Sequence, residues 1–169
     1  MIRSVSLASV FATLIIFIQT TWLKNGVLFS ATPDVALILI LWMSFHNKNI
    51  EGLFAAFVIG LVQDFLSSAP LGFHIFLYVV PAYIAVIVRA SIFIDRIFMP
   101  LAVALVATVL KALLSMFLSR LFGSDVVIAY SFRNIRFWIE CLMNILLASP
   151  IFWVLSKTGK ALITKSHTE

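Results

Sequence analysis

The chain has 169 residues, 63% of them hydrophobic and 11% charged, with a mean hydropathy of +1.13 and a formal net charge of +5. A soluble domain is nearer half apolar and a quarter charged. The composition therefore excludes an ordinary water-soluble globule and implies an all-α polytopic membrane bundle. The positive balance belongs at the ends of membrane spans rather than on a nucleic acid, and a single cysteine, Cys141, excludes a disulfide framework or a cysteine-built metal site.

No long polar run divides the chain, so one transmembrane domain is expected over residues 1–156, with a basic, mobile cytoplasmic tail over 157–169. Ser4 to Leu23 reads as a first span, uncleaved because no small-x-small site follows its apolar core. Asp34 to Phe45 is a second span of only ~18 Å, against a hydrocarbon core of ~30 Å. Pro33 stops the run from extending backwards. The third span, Gly52 to Leu66, is also short at ~22 Å. Irregular backbone at membrane depth is tolerated only where protein buries it or water fills a cavity. Two short neighbours therefore predict a recess on the side of Pro33 and Asp64.

The fourth span is expected from about Leu71 to Val88 with a kink at Pro81, and the fifth from about Phe98 to Leu121 with Pro100 in its first turn. Gly123-Ser124-Asp125 reads as a turn. Ile128, Phe132 and Ile135 then share one face of a short interfacial helix before a sixth span, Phe137 to Ser156. Six spans put both termini on one side, with Arg3, Lys48, Arg89, Arg96, Lys157, Lys160 and Lys165. The other side holds Lys24, Arg120, Arg133 and Arg136. The basic excess makes the termini cytoplasmic, and Trp22, Trp42, Trp138 and Trp153 fall near span ends, as an aromatic belt requires. Five or seven spans are the alternatives.

Two groups of residues stand out. Gly52, Ala56, Gly60 and Asp64 stand four apart, forming one row on a helix. Its three small residues invite close approach of another helix, within the bundle or from a partner. Ser67-Ser68-Ala69-Pro70 then signals a loop. The second group surrounds Lys111, an intramembrane charge that needs a partner or water. Thr108 and Ser115 share its face, and Arg136, Glu140, Asn144 and Ala148 form a row on the sixth span. Lys111 is expected to meet Glu140 and Asn144 in an interhelical polar seam, with a ligand or ion site as the alternative. Asp34, Asp64 and Glu140 are expected near the outer face.

No zinc-protease, nucleophile-elbow or Walker motif is present, and His46, His74 and His167 stand apart. The residues give no sign of an enzyme, a metal or a cofactor.

Pro33-Asp34, the Gly60-x-x-x-Asp64 spacing, and Pro70-Leu71-Gly72 with Phe73 and His74 after it resemble the rod shape-determining protein MreD family over nearly the whole chain. Ser67-Ser68-Ala69 departs from that pattern, where such proteins often carry a glycine. The resemblance implies a non-enzymatic scaffold of the bacterial inner membrane, acting in cell elongation. Its implied partners are MreC, the actin-like MreB, and a glycosyltransferase and transpeptidase of lateral peptidoglycan synthesis. The family is also similar in span layout to substrate-binding subunits of energy-coupling-factor vitamin transporters. That supplies the alternative, a small-molecule binding subunit, which would need several convergent polar groups in its recess.

Overall fold

The computed structural model describes residues 31–46, 49–89, 98–123 and 132–158. Among them every regular element is a helix. These are α1 (Val35–His46), α2 (Asn49–Leu66), α3 (Phe73–Val88), α4 (Phe98–Phe122) and α5 (Ile135–Thr158). The expected first span, the middle of the expected interfacial helix and residues 159–169 lie outside the described residues. Ile135 opens α5 instead of sharing an interfacial helix with Ile128.

The core is α1 itself. Every residue from Ala36 to Ser44 is buried, so the segment has no solvent or lipid stripe, as an evenly apolar helix requires. The helix packs against α2, α3 and α5 and, less extensively, α4. The most extensive pairings around it are α2 with α3 and α4 with α5. Outer residues such as Phe57, Val106, Phe117, Leu142 and Leu146 are exposed, which water would penalise and lipid does not.

Several helix ends have a local cause. Asp34 is the N-cap of α1: its Oδ1 accepts the Leu37 amide at 2.9 Å, three residues on. The Asn134 side chain accepts the Arg136 amide at 3.0 Å and caps α5 in the same manner. Gly123 (φ +91°) ends α4 in the left-handed conformation usual at a helix C-terminus. Helix α3 runs through Pro81 as one element.

α4 and α5 are long and apolar enough to cross a membrane, whereas α1 and α3 are shorter apolar helices. α1 spans only ~18 Å, and its first residues meet the middle of its neighbours. Asp34 contacts Lys111, ~16 Å along α4 from Phe122. It also contacts Asn144, ~14 Å into α5. The centre of the bundle thus contains a helix N-terminus.

Candidate functional site

A helix N-terminus exposes unpaired amides and a partial positive charge, so burying one requires acceptors. Asp34 supplies the first, and the residues around it complete the set. The Asp34 amide donates to Asn144 Oδ1 at 2.7 Å. Lys111 Nζ donates to Asp34 Oδ2 in a short ion pair, with Glu140 Oε1 3.9 Å away from the same ammonium. The Tyr78 hydroxyl lies 3.2 Å from both Asp34 oxygens and 2.8 Å from Gln63 Oε1, and the Tyr78 ring stands 5.5 Å from Lys111 Nζ. Asn144 Nδ2 donates to Thr108 Oγ1 at 3.1 Å, and Thr108 donates to the Ala104 carbonyl at 2.8 Å. One cluster therefore ties α1 to all four other described helices.

The expected pairing of Lys111 with Glu140 is present at 3.9 Å and is joined by a closer one. The nearest anion to Lys111 is Asp34, with Glu140 more distant, and Asn144 contacts Asp34 and Thr108. As the residue that opens a span, Asp34 is expected at the outer face. A helix that starts at mid-depth brings its cap to the level of Lys111. Asp34 is 8% exposed and Lys111 5%, so neither charge is left to bulk water. Nothing in the sequence pattern by itself marks Tyr78 and Gln63. Tyr78 stands one helical turn beyond His74, and that spacing was the available signal.

Asp64 does a related job at the α2–α3 turn. Its side chain is buried, and its Oδ2 accepts the Gly72 amide at 2.8 Å. Its Oδ1 accepts the His74 amide at 2.7 Å and lies 2.9 Å from His74 Nδ1. Asp64, at the end of one helix, thus caps the start of the next. Gly72, the N-cap of α3, holds φ +95°, where a side chain is strained even though a Cβ there meets no atom within 4 Å. The Pro70 carbonyl accepts the Phe73 amide at 3.1 Å, and Leu71 points outward. Ser67 replaces backbone contacts in this turn: its Oγ accepts the Ala69 amide at 3.3 Å and lies 3.4 Å from His74 Nδ1.

The small-residue row meets two different helices. A Cβ on Gly52 would stand 2.6–2.9 Å from Ser44 Oγ, Cα and N on α1. One on Gly60 would stand 2.5 Å from Ile75 Cα and 2.7 Å from Ile75 N on α3. Ala56, between them, is fully buried. Both close approaches bring the neighbouring backbone within 3 Å, within the chain. Pro33 is buried beside Asp34.

A central helix that begins at mid-depth, capped and charge-paired inside an apolar shell, defines an integral membrane protein built as an interlocked helical bundle. The model of the rod shape-determining protein MreD family matches residues 1–158, and the chain belongs to that family. The family is a shape-determining membrane family, not a known enzyme family. No curated protein and no solved structure matches the chain.

Proposed function

We propose that this protein is a multi-pass, non-enzymatic scaffold of the cell-elongation machinery in the bacterial inner membrane. In this reading its outward helix faces bind an MreC-like membrane partner, and through it the other lateral peptidoglycan synthesis proteins. The observation that carries the reading is how the interior polar groups are used. Asp34, Lys111, Asn144, Thr108 and Tyr78 hydrogen-bond to one another, and Asp64 binds backbone amides of its own turn. These contacts hold helices in place. A small-molecule site uses convergent polar groups to orient a ligand, and here those groups are engaged in joining five helices. The scaffold reading is therefore preferred over a vitamin-type binding subunit.

The test is a Gly60→Leu variant in a rod-shaped host that depends on this protein. Its bulk would drive α2 from α3, so cells should round and the MreC-like partner should be lost from affinity pull-downs in mild detergent. Leu61→Ile should be tolerated. A folded, membrane-inserted Gly60→Leu protein that keeps rods and partner would overturn the reading. Tight retention of a water-soluble vitamin by the purified protein would favour the transporter alternative.

A further inference from the structure

A hollow of about 140 Å³ lies between α1, α3 and α4. Leu41 and Phe45 of α1 form its floor, Pro81 and Ala85 of α3 one wall, and Ala102 and Val106 of α4 the other. Its remaining lining is also apolar. The short side chains of Ala85 and Ala102 leave the space open, and Ile84 and Val106 at its mouth are exposed on the outer surface. Water has no polar partner in such a space and leaves it dry, while an empty hollow forfeits dispersion contacts along its whole lining. A polar ligand would find nothing there to orient it. Hydrocarbon is the filler the surroundings supply.

One end of the hollow is cationic. Val88, part of its lining, is followed by Arg89, which is half-buried and donates from Nη1 to the Ser44 carbonyl at 3.5 Å. Ser44 adjoins Phe45 of the floor. Lys157 of α5 belongs to the same end, because Trp42 Nε1 reaches Ser156 Oγ at 3.5 Å. The Lys157 ammonium sits over the Trp153 ring at 3.9 Å, a pairing suited to a membrane interface. Among the described residues Glu51 is the acid near this end, and it is buried and not part of the lining. A guanidinium matches a phosphate in shape and charge.

We propose that this hollow holds an acyl chain of an anionic phospholipid whose headgroup phosphate lies at Arg89. The test uses the full chain in nanodiscs of equal phosphatidylglycerol and phosphatidylethanolamine, with retained lipid read by native mass spectrometry. Wild type should keep phosphatidylglycerol over phosphatidylethanolamine by roughly five-fold, the scale set by one basic residue at an anionic surface. Ala102→Phe, filling the hollow from its exposed side, should lose retained lipid of both kinds. Arg89→Gln should keep lipid but lose the preference, and Leu142→Phe on the outward face of α5 should change neither. A measurement on wild type alone removes any dependence on variant folding: phosphatidylglycerol with a mid-chain diazirine should label peptides from α3 and α4 that line the hollow. Equal retention of the two lipids by wild type, retention undiminished in Ala102→Phe, or labelling spread evenly onto the outer face of α5 would each overturn the proposal.

Discussion

At the scale of single residues, Asp34 is the group on which most contacts converge. It caps α1, accepts from Tyr78 and neutralises Lys111. Removing one member of a buried ion pair leaves an uncompensated charge and costs about 3–5 kcal/mol, whereas removing both costs far less than the sum. Lys111→Met and Asp34→Asn should therefore each lower the unfolding midpoint of the purified protein in a denaturing-detergent titration, and the double variant should be little worse than either alone. Strict additivity would show the two side chains to be uncoupled. Glu140→Gln, touching the same ammonium from 3.9 Å, should be milder than Asp34→Asn. A separate residue-scale expectation concerns Gly72. Its φ of +95° stands in open space, so Gly72→Ala should cost about 1–2 kcal/mol through backbone strain alone. Gly72→Asn should recover part of that loss, because asparagine tolerates the left-handed region better. Equal stability of all three in the same titration would mean that the turn has relaxed to another conformation.

Between helices, the governing contacts are the approaches of Gly52 to Ser44 and of Gly60 to Ile75. At each, main-chain atoms stand within 3 Å of the added Cβ and cannot rotate away, so even a methyl group forces the helices apart. Gly60→Ala should therefore destabilise by about 1–3 kcal/mol, while Phe57→Leu on the exposed side of α2 should stay within about 0.5 kcal/mol. The unfolding titration distinguishes them, and indifference to Gly60→Ala would mean that α2 and α3 are not packed as described. The spacing of Gly52, Ala56, Gly60 and Asp64 was legible because a four-residue period is a property of the helix alone. Which helices the row would meet was not legible. Two neighbours share it, and choosing them requires the packing around α1. The same limit explains Asp34. Its capping role follows from Pro33-Asp34 before an apolar run, but its depth depends on where neighbouring helices place α1, which no local pattern records. The turn at Gly72 was marked by Pro70 and Gly72, yet that Asp64 reaches forward to cap α3 became clear only from the hydrogen bonds to Gly72 and His74.

For the whole molecule, the described helices sort their charged groups by end. His46, Arg89 and Lys157 mark one end, linked through the Ser44 carbonyl and the Trp42–Ser156 contact. The Asp64 turn lies at the opposite end of α2 and α3, with Arg120 near the C-terminus of α4 and Arg133 and Arg136 at the start of α5. Over the whole sequence the Arg89 and Lys157 end is expected to collect seven basic residues against four at the other. Basic residues flanking membrane spans favour the cytoplasmic side, so that end is expected to face the cytoplasm and the Ser67–Pro70 turn the exterior. In a Cys141→Ser background, which removes the single and buried native thiol, Ser68→Cys should react with an impermeant maleimide added to intact spheroplasts. Lys160→Cys should react only after the membrane is opened. Both positions are needed, because Ser68 silent in intact cells could reflect a covered turn, whereas Lys160 labelled from outside would reverse the orientation outright. A reversed result would also move Arg89 to the outer leaflet, away from the anionic cytoplasmic surface that supplies its lipid partner.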